Sequence, residues 1–377
     1  MALKHLALIA ILLLPLSILA QGEEASPSGT TAVEQAQPSA QSAGEDAADM
    51  SAENEDAEEH LQEVRQERSQ PPGVWSFLFS GKYLAFLIMA LIGLALLLVR
   101  WINRWVRLAM LLIAFVLFGL DLSFTYPLHP SPMCAVANLF MFKVTTGVFY
   151  PVFIAAFLAI FVPSLIGRKL FCGWVCPLGA LQDLVNKIPF KWKFKHFNFT
   201  AFNTVRMGLL LLFILSVYWV KDHIGMLADS VGADAATRPW SIFAAYSIYE
   251  PINFFELLHW TFDIVFWVMF PILIIASLML YRPFCYSICP IGALSWLLEK
   301  IAPGCVRVDH NACTECMECV DASPCPTMAK LVDKNTKAAP DCTSCGECLG
   351  SCEFDAIKFG FRRSSPVLTD IETPQPS

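Results

Sequence analysis

Eight cysteines near the C-terminal end of this 377-residue chain constrain its fold more than any other feature. They form two runs, and two residues separate the first three members of each run. The runs are Cys313, Cys316, Cys319 and Cys325, and Cys342, Cys345, Cys348 and Cys352. Three thiolates at this spacing can curl around one face of a [4Fe-4S] cube while a distant fourth closes the opposite corner. The pattern predicts a module that moves electrons.

The ligation of the two clusters is expected to be crossed, because in two-cluster ferredoxins the fourth cysteine of each run ligates the other run's cluster. Cluster 1 is then assigned to Cys313, Cys316, Cys319 and Cys352, and cluster 2 to Cys342, Cys345, Cys348 and Cys325. Two departures from the usual run are notable. Five residues separate Cys319 from Cys325, which predicts a bulge near cluster 2, and Glu353 replaces the usual proline. Paired Cys-x-x-Cys motifs also bind structural zinc, but the third cysteine in each run favours clusters.

The composition indicates an integral membrane protein, with 56% hydrophobic residues, 16% charged residues and a mean hydropathy of +0.53. Apolar stretches of spanning length predict about five transmembrane helices. These stretches are Tyr83–Val99, Val106–Leu120, Val148–Ile166, Phe202–Val220 and Phe262–Leu280. The predicted fold is a membrane all-α bundle with an internal repeat, followed by a small α+β two-cluster ferredoxin-like module.

The N-terminal region has two predicted parts. Residues 1–20 contain the apolar run Leu6–Ala20 after a short basic start, which predicts a signal peptide, with an uncleaved anchor as the alternative. Residues 21–70 carry thirteen Asp or Glu against two Arg and no aromatic residue. We expect the segment 21–75 to be disordered and periplasmic, as a solvated spacer or an acidic docking arm.

Lysine and arginine in the short loops predict the orientation in a bacterial cytoplasmic (inner) membrane. One side carries ten such residues: Arg100, Arg104, Arg107, Arg168, Lys169, Lys187, Lys191, Lys193, Lys195 and Arg206. The other side carries only Lys143, Lys221 and Arg238. The amino terminus is therefore expected outside and the ferredoxin module in the cytoplasm. The basic aromatic stretch Lys187–Phe197 predicts contact with anionic membrane lipid and not with nucleic acid.

The two halves of the predicted bundle are related by an internal sequence repeat with an offset of 113 residues. Phe171–Leu181 aligns with Phe284–Leu294, so that two Cys-x-x-x-Cys-Pro elements lie at the inner ends of two spans. Repeats of the same orientation imply a pseudo-twofold axis along the membrane normal. The proline after each pair favours an extended conformation at the second cysteine, and a short helix is expected after it.

Four thiols converge if the repeats pack about that axis: Cys172, Cys176, Cys285 and Cys289. Our hypothesis is one joint redox or metal site, acting as a dithiol, as ligands of a further metal centre, or as a contact near a quinone. Buried cysteines that serve only in packing are the alternative. Cys134, in a predicted outer loop beside Met133 and His129, is a weaker copper-ligand hypothesis.

Both Phe-Cys-x-x-x-Cys-Pro-x-Gly-Ala-Leu elements, followed by the paired cluster runs, resemble the polytopic ferredoxin-type membrane proteins of the NapH and NosR kind. The resemblance covers about residues 80–360. It implies an electron carrier between the quinone pool and a periplasmic or membrane oxidoreductase, as an electron-transfer component or quinol dehydrogenase subunit. It also leaves open an assembly or maturation factor that reduces a metal or thiol on a client metalloenzyme.

The predicted organisation follows from these motifs. Residues 76–302 form the transmembrane core with both Cys-x-x-x-Cys-Pro repeats, residues 303–362 the 2[4Fe-4S] module, and residues 363–377 a disordered tail. The module is small enough that metal ligation must supply much of its folding free energy.

Overall fold

A computed structural model describes residues 73–120, 122, 125–127, 130–194, 199–231, 239–260, 262, 264–332 and 340–361. The predicted signal peptide, nearly all of the acidic segment and the C-terminal tail lie outside the described residues.

The described part of the chain is mostly helical. Its first helices are α1 Val74–Leu78, α2 Gly81–Val99, α3 Arg104–Gly119, α4 Pro132–Thr146, α5 Pro151–Gly167, α6 Leu170–Trp174 and α7 Pro177–Asn186. Further helices are α8 Phe199–Val231, α9 Pro239–Tyr246, α10 Tyr249–Ile252, α11 Ile264–Met279, α12 Pro283–Ser287 and α13 Pro290–Leu298.

Among the described residues, two helices are long and apolar enough to cross a membrane, Gly81–Val99 and Thr200–Leu227. Pro151–Gly167 and Ile264–Met279 are shorter apolar helices. Large apolar side chains on these helices point outwards, as at Leu91 and Ile264, which are 59% and 81% exposed. An outward apolar surface is typical of helices that meet lipid. The five predicted apolar stretches all coincide with helices, and the number of spans stays a prediction.

Helix α4 corrects the prediction of an outer loop around Cys134. The Ser131 hydroxyl accepts a hydrogen bond from the Cys134 amide at 3.2 Å, and Pro132 occupies the first turn. A serine cap followed by proline is a helix start, although the same residue types are also common in loops. Cys134 is buried in this helix, and the Asn138 amide donates to its sulfur at 3.1 Å.

Helices α5, α6 and α7 follow one another in the same way as α11, α12 and α13. Their first residues, 151, 170 and 177 against 264, 283 and 290, each differ by 113 positions. The break before the third helix also has the same backbone shape in both segments. Cys176 has φ −61° and ψ 118°, and Cys289 has φ −61° and ψ 119°. The proline after each cysteine excludes the helical conformation there, as the sequence predicted.

The C-terminal module closes on a two-stranded antiparallel sheet. Strand β1, Gly304–Val308, pairs with β2, Ile357–Phe361, with Cys305 opposite Gly360. Helices α14, Glu318–Ala322, and α15, Met328–Val332, lie between the strands in sequence. Of the five residues between Cys319 and Cys325, the first three belong to helix α14, Ser323 is extended, and Pro324 follows it. The bulge near cluster 2 stays a prediction. The sheet joins the two ends of the module, which brings both cysteine runs into one unit.

A buried ion cluster fixes the inner end of the bundle. The Asp183 carboxylate on α7 accepts hydrogen bonds from Arg107 on α3 at 2.8 Å and from Arg282 at 2.6 Å. The side chains of all three residues are at most 2% exposed. Burial alone would raise the pKa of Asp183, but the two guanidinium groups together lower it. The carboxylate is thus held ionised and ties three segments together.

We predict that Asp183→Asn destabilises the protein by about 3–5 kcal/mol, because it leaves two buried guanidinium groups without their counter-ion. Thermal unfolding in detergent, followed by fluorescence, measures the change. Asp355→Asn is the matched control, since Asp355 pairs with Arg100 on the surface and such pairs contribute about 0–1 kcal/mol. Equal stability of the two variants would contradict the role given to Asp183.

Candidate iron-sulfur and thiol sites

The two cysteine runs have the same backbone shape. In the first run Glu315 and Met317 have left-handed φ values of 57° and 63°. In the second run Ser344 and Gly346 occupy the corresponding places, with φ values of 50° and 80°. Left-handed residues at alternate positions curl the chain, which turns successive side chains towards one centre. Three of these four residues, all except Gly346, are not glycine and accept this conformational cost, as expected where a ligand determines the conformation.

The first group of thiols contains the predicted ligands of cluster 1. Cys313, Cys316 and Cys319 line one cavity of about 20 Å³ together with Cys352 from the end of the second run. Cys316 is exposed and the other three are partly buried. The rest of the lining is mixed: Val308 and Ile357 of the sheet are apolar, whereas Glu315, Glu318 and Glu353 are acidic. Four thiols around one centre are a donor set that fits an iron-sulfur cluster.

The second group contains Cys342, Cys345 and Cys348, which are all buried, and Cys325 from the end of the first run. These four thiols lie close enough for their charges to interact. The structure therefore brings together the two sets that the crossed assignment names. Ligation itself stays a prediction. Cys325 also lies 3.3 Å from the Thr327 hydroxyl, and Cys342 accepts from the Ser344 amide at 3.3 Å.

Burial raises the pKa of Cys325, Cys342 and Cys348, which keeps these three thiols protonated until a metal binds. It raises the pKa of Cys325 to about 11 and that of Cys342 to about 12, with neighbouring cysteines adding to the effect. A positively charged cluster supplies the compensation that four buried thiolates require. Within the described ranges, no group of three or more His, Cys, Asp or Glu is placed to hold a single metal ion.

The four cysteines of the repeat elements also come together. Cys172, Cys176, Cys285 and Cys289 line a cavity of about 10 Å³ whose other walls are apolar, including Phe171, Phe255 and Phe284. Burial raises the pKa of Cys285 to about 11 and also raises that of Cys172. Such thiols are poor nucleophiles in the protonated form, which favours a packing role or ligation to a cationic centre over thiolate chemistry.

Two arginines hold the backbone of these elements in matching ways. Arg282 donates from Nη1 to the carbonyl of Cys172 at 2.7 Å, and Arg206 donates from Nη1 to the carbonyl of Cys285 at 3.3 Å. A glycine follows each Cys-Pro pair by two positions. A Cβ on Gly179 would lie 2.9 Å from the Cys172 carbonyl, and one on Gly292 would lie 2.6 Å from that of Cys285. These glycines allow each third helix to approach its own cysteine turn.

The second cysteine run packs directly on the repeat elements. A Cβ on Gly173, next to Cys172, would lie 2.2 Å from the Thr343 carbonyl. The Trp174 indole donates to the Ser344 carbonyl at 2.8 Å, and the Ser344 hydroxyl donates to the Gly167 carbonyl at 2.7 Å. From the other repeat, the Tyr286 hydroxyl donates to the Asp341 carbonyl at 3.3 Å. The predicted cluster 2 site and the four-thiol cavity are therefore immediate neighbours.

Comparison with protein families gives two matches to one family model, described as a 4Fe-4S binding domain, at residues 149–195 and 262–305. The matched stretches begin 113 residues apart and contain the repeat cysteines. The eight cysteines predicted to be cluster ligands lie outside them. The family model therefore recognises the repeat elements and not the C-terminal cysteine runs.

Similar proteins carry names that agree with these sites. YccM of Escherichia coli, a putative electron transport protein, is 26% identical over 59% of this chain and 59% of its own length. The ferredoxin-type protein NapH of Escherichia coli is 26% identical over 54% of this chain and 65% of its own length. The regulatory protein NosR of Pseudomonas aeruginosa is 25% identical over 46% of this chain and 27% of its own length. The predicted resemblance is confirmed: this chain is similar to the ferredoxin-type and electron transport proteins NapH, NosR and YccM.

The chain spans less than two thirds of YccM, of NapH and of NosR, so their complete activities do not transfer with the similarity. No solved structure matches the chain.

Sequence reasoning missed the two arginines that hold the repeat carbonyls. The loop charges give Arg206 only a topological meaning, and no motif singles out Arg282, although an arginine beside an apolar span is a signal of a buried partner.

We predict that Gly173→Ala loosens the contact between the C-terminal module and the repeat elements, because the added methyl group has no room beside the Thr343 carbonyl. The expected cost is about 1–3 kcal/mol, measured as a lower midpoint of thermal unfolding. Gly208→Ala on α8 is the control, since nothing lies within 4 Å of its added Cβ. A Gly173→Ala variant that is as stable as Gly208→Ala would contradict the close contact.

Proposed function

We propose that this protein is a membrane-bound iron-sulfur electron relay between the quinone pool and a periplasmic or membrane oxidoreductase. The observation that carries the proposal is a gradient of burial along neighbouring thiol sites. The four-thiol cavity and the predicted cluster 2 ligands are largely enclosed, whereas Cys316 of the predicted cluster 1 set is exposed. Such an order suits electrons that pass between an enclosed site and a membrane oxidoreductase that reaches the exposed surface of the module.

In this proposal the helices form a five-span bundle with a twofold repeat in the cytoplasmic membrane, and the module faces the cytoplasm. Cys313, Cys316, Cys319 and Cys352 hold one [4Fe-4S] cluster, and Cys342, Cys345, Cys348 and Cys325 hold the other. The clusters supply one-electron chemistry, and the chain sets their distance and burial. The left-handed turns of both runs and the buried hydrogen bonds of Ser344 support this assignment.

The repeat cysteines form a joint redox or metal site in the same proposal. Support comes from their common cavity, from the matching arginine contacts, and from the family matches that fall on both elements. The protein chain contributes two things to this site: apolar walls that exclude water, and guanidinium groups that lie beside the cysteine backbone. Lys169 adds a buried cation to the same region.

Metal content tests the joint site. Two [4Fe-4S] clusters give about eight iron atoms and eight acid-labile sulfides per chain. If the repeat cysteines ligate metal, replacing Cys172, Cys176, Cys285 and Cys289 by serine lowers the metal content of anaerobically purified protein, while both ferredoxin signals remain in electron paramagnetic resonance (EPR) spectra. Cys134→Ser is the control, because that buried cysteine lies outside the cavity. Unchanged metal content together with unchanged electron transfer would remove the joint site from the proposal.

A gene deletion separates a relay from a maturation factor. We expect that a client oxidoreductase from the deletion strain is fully active with an artificial electron donor and inactive only with quinol, because a relay supplies electrons and leaves the client's own centres intact. Complementation with the parent gene and with a Cys342→Ser variant provides the control pair. A client that stays inactive with the artificial donor would favour the maturation factor and contradict the relay.

A further inference from the structure

Between their cysteines, the two repeat elements carry different residues where they meet the second cysteine run. The first element has Gly173 and Trp174, and the second has Tyr286 and Ser287 at the same places. Gly173, Trp174 and Tyr286 all contact the backbone of the segment around Cys342. A single cysteine run cannot contact two symmetric elements in the same way, so the repeat is broken here. Trp174 therefore has a place in the first element that no residue takes in the second.

Ser344 is the residue of the second cysteine run that the first repeat element holds. The Trp174 indole donates to its carbonyl at 2.8 Å, and its own hydroxyl donates to the Gly167 carbonyl at 2.7 Å. The amide of Ser344 donates to the Cys342 sulfur at 3.3 Å. Ser344 is fully buried and has a left-handed φ of 50°. The orientation of the peptide groups beside Cys342 is therefore determined by the bundle as well as by the module.

The Trp174 ring is itself held on two sides. A Cβ on Gly93 of α2 would lie 2.5 Å from the Trp174 Cγ atom, so this glycine gives the indole room to pack against the helix. The Arg107 guanidinium lies over the ring, 4.8 Å from its centroid, and donates to the Asp183 carboxylate at 2.8 Å. The Trp174 side chain is buried. Trp174 is thus a donor in a fixed place, which suits a group that orients another residue.

The first cysteine run has different surroundings. Glu315 takes the place of Ser344 in that run and has a similar left-handed φ of 57°, but it is exposed. The two loops thus share a backbone shape, and the first repeat element holds the second loop. A residue that acts through Ser344 therefore affects the predicted cluster 2 and not the predicted cluster 1.

We infer that Trp174 is a positioning residue for the predicted cluster 2. By holding Ser344, it keeps the amide of that residue directed at the Cys342 sulfur. Reduction adds one electron to a four-thiolate site, and an amide hydrogen near a ligand sulfur stabilises the added charge, so this contact raises the reduction potential. The inference rests on the proposed function, and it adds how the first repeat element controls the potential of one cluster.

Potentiometric titration followed by EPR spectroscopy, on the anaerobically purified full-length protein, tests this role. Trp174→Phe keeps an aromatic ring beside Gly93 but removes the indole donor. We expect it to lower the midpoint potential of cluster 2 and to leave that of cluster 1 unchanged. Trp260→Phe is the matched control, because the Trp260 indole also donates to a backbone carbonyl, that of Gly119 on α3 at 3.2 Å, and not to the module.

A second variant removes the other bond that holds the same residue. Ser344→Gly deletes the hydroxyl that donates to Gly167 and accepts the left-handed backbone, so we expect it also to lower the cluster 2 potential. Cys342→Ser identifies the signal of cluster 2, because it replaces one of the predicted ligands of that cluster. If Trp174→Phe fails to hold its clusters, Ser344→Gly decides.

The inference is overturned if both variants keep the cluster 2 potential of Trp260→Phe, even where thermal unfolding shows that they are less stable. It is also overturned if the potentials of both clusters shift equally, since the substitutions would then loosen the whole module. A parent protein without reduced iron-sulfur signals rejects the electron relay as well. Two clusters whose potentials are unchanged in the variants reject only the role of Trp174.

Discussion

A buried carboxylate at the start of the second cysteine run determines how the module and the bundle fit together. Asp341 directly precedes Cys342 and forms ion pairs with Lys169 and with Arg206, both from the helical region. Its amide donates to the Glu299 carboxylate at 2.9 Å. Charges buried at this depth are tolerated only when they are paired, so undocking the module would leave several groups uncompensated. The module therefore has one position on the bundle.

This arrangement gives the iron-sulfur sites unequal surroundings. The predicted cluster 2 loop lies between the bundle and the rest of the module, and it contacts both repeat elements. The predicted cluster 1 loop faces outwards, with Cys316 and Met317 exposed. Reduction potentials of such clusters depend on burial, nearby charge and hydrogen bonds to sulfur. The ion pairs that hold the module on the bundle thus also give the two predicted clusters different burial and different nearby charges.

The sequence predicted those features of the fold that depend on residues close together in the chain. Cysteine spacing predicted the two thiol sets, hydropathy predicted where the main helices lie, and the proline after Cys176 and Cys289 predicted the helix breaks. Helix α4 was missed because a serine cap followed by proline has the same composition as a loop. The partners of Asp183 and Asp341 could not be predicted, because their pairing depends on packing between segments that lie far apart in the sequence, as Lys169 and Asp341 do.

The central claim is that the C-terminal module carries two [4Fe-4S] clusters held close together against the bundle. EPR of dithionite-reduced, anaerobically purified protein measures this most directly. The account predicts two reduced [4Fe-4S] signals broadened by mutual magnetic interaction, with the cluster 2 signal altered by Asp341→Asn and the surface pair variant Asp355→Asn without effect. A reduced sample without any iron-sulfur signal, or with two signals that do not interact, would contradict it.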